Sequence, residues 1–307
     1  MRILVVGAGA IGGYFGARLL QAGRDVTFLV RARRAAQLAE HGLRVKSPHG
    51  DVHIPDPPRV LSEQIAQPYD VILLSCKAYD LGSAMDGIAP AVGPETVIVP
   101  MLNGMAHLDQ LDARFGATRV MGGRCMISST LDDDGTIVQL SPMHILSFGE
   151  RPSGTSNRAQ ALADLFGNAG FDLQHSQSML QDMWEKWFFL ATLASSTSLM
   201  RAAIGDILAA PRGRETIAAL LEECAAIAAA NGHPIREPAL QQARTNLFTE
   251  GSKMTASMLR DIERGAAIES DQIVGDLLAR RQQTAAPTLQ LALTSLKAYE
   301  ARRARGG

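Results

Sequence analysis

The sequence predicts a parallel-sheet α/β domain followed by an all-helical domain, on three observations. Short β-branched runs alternate with longer amphipathic segments in the first half, two of these runs are apolar almost throughout, and helical periodicity takes over after residue 175. Arg2–Val6 reads as the first strand and Ala10–Ala22 as a helix stopped by Gly23. Val26–Val30 is a second strand, followed by a helix over Arg33–Glu40 that stops at Gly42. Asp70–Ser75 (DVILLS) and Thr96–Val99 (TVIV) have the length and composition of parallel strands buried on both faces. This alternation makes a doubly wound parallel sheet. Ser128–Leu131 and Thr136–Leu140 flank the turn-forming Asp132–Gly135 as an antiparallel hairpin with a solvated acidic tip. From Ser178 onward the period is helical, with Glu215–Ala230 ending at Asn231-Gly232 and with Pro211, Pro234, Pro238 and Pro287 as punctuation. The basic run Arg302–Arg305 reads as a frayed helix end. The expected domains are 1–175 and 176–307.

Composition narrows the function classes. A chain of 307 residues suits two domains, each long enough to bury a core. Its 30 basic and 31 acidic side chains, without a basic tract, argue against a nucleic-acid partner held by phosphate neutralisation. The apolar, uncharged stretch Trp187 to Met200 is too short and too rich in Ser and Thr for a membrane span. The start MRILVVGAG lacks the apolar core and cleavage site of a signal peptide. Cys76, Cys125 and Cys224 are scattered and odd in number, which fits neither a disulfide framework nor a zinc cluster. The expectation is a soluble cytoplasmic protein with no membrane partner.

The first strand runs directly into Gly7-Ala8-Gly9-Ala10-Ile11-Gly12, a G-x-G-x-x-G that opens the first helix. Gly7 permits the tight turn, Gly9 lets a pyrophosphate approach the backbone, and Gly12 lets helix and strand pack closely. The helix N-terminus offers N–H donors to the phosphates. The first domain is therefore expected to be a Rossmann-like dinucleotide-binding domain. At the end of the second strand, where an NAD site places a carboxylate for the ribose 2′-hydroxyl, this chain has Val30-Arg31, with Arg33 and Arg34 behind. A guanidinium suits a 2′-phosphate, and no carboxylate is expected there to compete or repel. The alternative is a solvated arginine at a helix start. NADP(H) is the expected cofactor.

Three further polar positions stand in apolar settings. Lys77 and Asn103-Gly104 follow strands at the carboxyl edge where open α/β sheets bind ligands. Lys186 lies in the helical Met183-Trp184-Glu185-Lys186-Trp187-Phe188-Phe189, with uncharged Leu190 and Ala194 one and two turns on. A lysine facing an apolar cleft has its ammonium disfavoured and its pKa lowered toward values useful for proton transfer. The alternative is a surface lysine that covers apolar neighbours with its stem.

The ordered set GAGAIG, Arg31, Cys76-Lys77-Ala78-Tyr79, Leu102-Asn103-Gly104-Met105, Trp184-Glu185-Lys186, Ser257-Met258-Leu259-Arg260-Asp261-Ile262 and Glu269 resembles the ketopantoate reductase family over nearly the whole chain. The resemblance implies a helical C-terminal domain that completes an active site in the cleft between domains. It further implies NADPH-dependent reduction of a 2-keto acid, as in 2-dehydropantoate to pantoate in pantothenate biosynthesis. By matched position it implies Lys186 as general acid and Glu269 as the carboxylate that orients substrate and lysine. It implies Asn103 as a substrate and cofactor contact, Ser257 as a donor to the substrate carboxylate, and Lys77 with Gly7, Gly9, Gly12 and Arg31 on the cofactor. Asp261, one turn after Ser257, is either a cap or a pairing residue.

The sequence also departs from the family. Its polar stripe continues from the lysine through asparagines four and eight residues on, where this chain has Leu190 and Ala194. Losing these groups points toward a different or less polar keto acid. Thr192, Ser196 and Ser198 are candidates to compensate. A reductase for another keto or hydroxy acid is the runner-up. A non-catalytic NADP(H)-sensing protein is a third reading, opposed by the joint presence of Lys186 and Glu269. His49 and His53 lie in a Pro- and Gly-flanked hairpin and read as exposed loop residues rather than metal ligands. A homodimer through the Ala-rich helices is compatible with the sequence, although such helices pack equally well within one chain.

Overall fold

In the computed structural model, which describes residues 1–306, the first half runs β1 (Arg2–Val6), α1 (Gly12–Gln21), β2 (Asp25–Leu29), α2 (Ala32–His41), β3 (Leu43–Lys46), β4 (Val52–Ile54) and β5 (Arg59–Val60). It continues through β6 (Val71–Leu74), α3 (Leu81–Ile88), β7 (Val97–Pro100), α4 (Ala106–Phe115), β8 (Gly122–Leu131), β9 (Ile137–Gly149), α5 (Asn157–Phe166) and β10 (Asp172–His175). The rest is helical: α6 (Met179–Met200), α7 (Ile204–Ala209), α8 (Gly213–Ala230), α9 (Glu237–Leu247), α10 (Ser257–Glu263), a π-helical turn at Asp271–Gly275, α11 (Asp276–Ala279) and α12 (Pro287–Arg305). Two units emerge from the contacts, one of residues 1–102 with 107–180, the other of residues 103–106 with 181 onward.

The first unit contains a parallel sheet in the order β5-β2-β1-β6-β7. Ile3 pairs with Val26 on one side of β1 and with Val71 on the other. Every residue of β6 and β7 is buried, as strands covered on both faces require. Strand order reverses at β1, so the loop after β1 occupies the switch point of the sheet. A second, mixed sheet has the order β10-β9-β3-β4, with β8 antiparallel along β9. Its long β8–β9 ribbon extends the expected hairpin away from the turn, back to Gly122 and on to Gly149, with an irregularity in register between Ile127 and Ser129. At its acidic tip Gly135 takes a φ of 80°, and Asp134 pairs with Arg44 at 3.2 Å. In the β3–β4 loop, His49 stacks on His144 with ring centres 3.7 Å apart, a packing contact within this sheet.

In the second unit, residues 191–198 of α6 are all buried. A helix so rich in hydroxyls tolerates this because Thr192, Ser196 and Thr197 donate to the carbonyls four residues back, at 2.9, 2.8 and 2.7 Å. The Oγ atoms of Ser195 and Ser198 are buried without such a partner. Burial pushes the Cys224 thiol up to about 12. The end of α12 is held rather than frayed, correcting the sequence reading. It is helical to Arg305, Arg303 Nε donates to the Gly265 carbonyl at 2.9 Å, and Arg302 lies over the Tyr299 ring. No helix among the described residues is long and apolar enough to cross a membrane.

Candidate functional site

The glycine turn is built from backbone. Gly7 adopts a φ of 91° and donates its N–H to the Leu29 carbonyl at 2.9 Å, which docks the turn against the end of β2. A Cβ on Gly12 would lie 2.1 Å from Ser75 Oγ and 2.3 Å from the Gly7 carbonyl oxygen, so the helix can start there only as glycine. A Cβ on Gly9, by contrast, would project into open space with nothing within 4 Å. No side chain caps the N-terminus of α1 at Ile11, and its first turn carries no acidic residue. Open space above Gly9 and a helix start with uncapped N–H groups fit a pyrophosphate.

The three arginines after β2 separate in role. Arg33 is exposed. Arg34 is structural: Nε donates to the Ala8 carbonyl at 3.0 Å, and Nη1 donates to Gln37 Oε1 at 2.6 Å and to the Gly135 carbonyl at 3.2 Å. Burial, with Arg44 nearby, lowers its pKa from the ordinary arginine value. Arg31 at the start of α2 is exposed, and its Nη2 pairs with Asp80 Oδ1 at 2.6 Å. This corrects the expectation that no carboxylate competes there. Asp80 comes from the 3₁₀ turn Ala78–Asp80 after β6, 49 positions away, which a search along β2 could not reveal. Lys77 is exposed at the start of that turn, and its carbonyl accepts from the Asp80 N–H at 2.9 Å.

In the second unit, Lys186 and Asn103 come together although 83 positions separate them: Nζ donates to Asn103 Oδ1 at 2.9 Å. Gln272 holds the same asparagine from behind, its Nε2 donating to the Asn103 carbonyl at 2.7 Å. Gly104, at a φ of 75°, permits this approach, since a Cβ there would sit 2.4 Å from the Gln272 carbonyl oxygen. Trp187, next to Lys186, donates its indole N–H to the Ile273 carbonyl at 2.9 Å. Adjacent residues of α6 thus hold the Asn103 segment and the π-helical turn. Gln272 was missed from sequence; its signal is a polar residue against the apolar Ile273-Val274, where it is buried.

The remaining predicted residues lie on the same unit. Ser257 is half-buried at the first position of α10, and the carbonyl of half-buried Asp261 accepts from the Ala266 N–H at 2.8 Å. Glu269 is half-buried, and its carbonyl accepts the Ile273 N–H at 3.0 Å to open the π-helical turn. Glu185, beside Lys186 in sequence, is committed elsewhere: its carboxylate accepts from Arg236 Nε at 2.6 Å, Arg236 Nη2 at 2.7 Å and Gln181 Nε2 at 3.1 Å. Burial works to raise its pKa, but these hydrogen bonds prevail and lower it. Leu190 is half-buried, whereas Ala194 is fully buried. Thr192, Ser196 and Ser198 are buried too, the first two on their own helix carbonyls, so the idea that they replace the missing asparagines is corrected. An ammonium oriented by an amide oxygen can donate a proton and stabilise a growing negative charge.

A parallel-sheet unit with a glycine turn and a helical unit with an oriented lysine define a two-domain oxidoreductase, and comparison with known proteins identifies which kind. The family model described as ketopantoate reductase PanE/ApbA matches residues 3–153, and that for the C-terminal part of the same family matches residues 178–300. The chain belongs to the ketopantoate reductase family. It is 39% identical over 304 residues to the uncharacterized oxidoreductase YkpB of Bacillus subtilis, covering 98% of this chain and 99% of that one. A crystal structure of 2-dehydropantoate 2-reductase from Geobacter metallireducens matches with a TM-score of 0.88 and 29% identity, covering 97% of this chain and 99% of that one. D-mandelate dehydrogenase, in a ternary structure with NADH and anilino(oxo)acetate, shares the fold with a TM-score of 0.88 at 22% identity, over 99% and 100% of the two chains.

Proposed function

We propose that the protein is a cytoplasmic NADPH-dependent reductase of a 2-keto acid, converting 2-dehydropantoate to pantoate. The bound dinucleotide supplies a hydride for the keto carbon. Lys186 delivers the proton to the keto oxygen, and its charge stabilises that oxygen as negative charge accumulates. Asn103 aims the ammonium through Oδ1, Glu269 orients substrate and lysine, and Ser257 donates to the substrate carboxylate. Gly7 through Gly12 hold the pyrophosphate, Lys77 and Asn103 serve the nicotinamide end, and Arg31 takes the 2′-phosphate. The observation that carries this reading is the 2.9 Å bond from Lys186 to Asn103, which gives the ammonium a defined direction. Lys186→Ala is expected to lower kcat on 2-dehydropantoate about 10³-fold, read as NADPH oxidation, with dinucleotide affinity unchanged. An unaltered rate would remove Lys186 as the acid.

Leu190 favours a second reading, in which the same machinery reduces a less polar 2-keto acid. It stands one helical turn after Lys186 as a half-buried apolar residue where the family has an asparagine. A panel running from 2-dehydropantoate to aryl keto acids separates the two readings. On the second, wild type prefers the aryl substrates, and Leu190→Asn shifts kcat/KM back toward 2-dehydropantoate. Preference for 2-dehydropantoate by wild type rejects it.

A further inference from the structure

Position 31 lies where the end of β2 meets the glycine turn, next to the Gly7-to-Leu29 bond. In a site of this topology a carboxylate at that edge accepts from a ribose 2′-hydroxyl, whereas an arginine accommodates a 2′-phosphate. This chain brings both charges to the edge from different strands. Arg31 follows β2, Asp80 follows β6, and these strands flank β1 on opposite sides with their carboxyl ends aligned. The 2.6 Å ion pair therefore reaches across the carboxyl end of β1, the place where the glycine turn begins.

We propose that Asp80 is a specificity-determining residue that blunts, without reversing, the preference for the 2′-phosphorylated cofactor, so that NADH binds within about tenfold of NADPH. The proposal rests on the reading of the glycine turn and Arg31 as a dinucleotide site. A phosphate dianion that recruits the Arg31 guanidinium must share it with Asp80, which holds Nη2, and sits near that carboxylate, an unfavourable like-charge approach. A 2′-hydroxyl incurs neither cost and gains a carboxylate acceptor. Asp80 thus supplies, from the turn after β6, the acidic group that the carboxyl end of β2 lacks. The carboxylate is about one-third exposed and Arg31 more than two-thirds, so water and salt reach the pair and its influence is tunable by ionic strength.

The test is direct binding of NADPH and NADH to purified wild type, Asp80→Asn and Asp80→Ser by calorimetry at low and high salt. Adenosine 2′,5′-bisphosphate and AMP serve as fragment probes. No side-chain hydrogen bond from Asp80 caps α3, so both variants should fold, which circular dichroism checks. Wild type is expected to bind the two dinucleotides within about tenfold of each other. Each variant is expected to raise the NADPH-over-NADH ratio about tenfold at low salt. The same shift should appear between the two fragments and shrink at high salt. A ratio unchanged or lowered in both variants overturns the role of Asp80 while leaving the dinucleotide site intact. Failure of wild type to bind either dinucleotide overturns the underlying reading, and the proposal with it.

Discussion

The glycine turn of the first unit and the Lys186 network of the second differ in what they are made from. The turn is backbone: one positive φ, one start to a helix, and a position where any side chain would collide. The network is side chain: an ammonium, two amides and an indole drawn from residues 103, 186, 187 and 272. A backbone site is specified by contiguous sequence and tolerates almost no change at Gly7 or Gly12. A side-chain site depends on distant elements and should fail by degrees, losing aim before it loses structure.

That contrast can be broken at three points. The largest effect is expected from Gly12→Ala, whose methyl meets Ser75 Oγ and the Gly7 carbonyl. Overpacking of this kind costs about 1–3 kcal/mol, and thermal unfolding should show it together with loss of dinucleotide binding. A variant that stayed as stable and bound as well would show that the turn has room to give. Next comes Gln272→Leu, which removes the donor to the Asn103 carbonyl. A loss of kcat of between about ten- and a hundredfold is expected, with the dinucleotide Kd held constant, because the ammonium loses its direction rather than its charge. If KM rises while kcat is preserved, Gln272 does not position the lysine.

The smallest effect concerns the flank of Lys186. Glu185 titrates lower in the folded chain than its ordinary value because Arg236 and Gln181 bond its carboxylate. Its pairing therefore stabilises the fold above the usual glutamate pKa of about 4.3 and is lost as pH falls through the lowered folded value. Arg236→Ala should cost about 1 kcal/mol at neutral pH, a modest figure because Arg236 is 48% exposed. The gap to wild type should close in acid, as followed by denaturant midpoints from pH 7 down to pH 3. A gap that did not narrow toward pH 3 would assign the loss to packing or to the Arg236 pairing with Asp182 rather than to Glu185.

How far the sequence could be read follows the same contrast. Strands β1, β6 and β7 were legible because burial on both faces leaves an uninterrupted apolar run, and the glycine turn because its constraints are local. The mixed sheet was largely hidden, since β3, β4 and β10 are short and the sheet is assembled by pairing β3 and β10 with β9, distant in sequence from both. Asp80 was invisible for a related reason: the end of β2 carries no carboxylate, and the partner of Arg31 arrives from beyond β6. Lys186 and Asn103 were named as separate candidates, and only folding joins them. The hydroxyls of α6 misled because helical spacing alone does not tell a group facing solvent from one folded back onto its own carbonyl.

Arg34 carries a practical consequence for anyone who would reprogram the cofactor pocket. Of the basic triplet that invites wholesale replacement, this guanidinium is mortar, joining the carbonyl of Ala8, the helix at Gln37 and the ribbon tip at Gly135. An engineer who neutralises all three arginines to change coenzyme would be dismantling scaffold as well. Edits confined to Arg31 and Arg33 leave that joint standing.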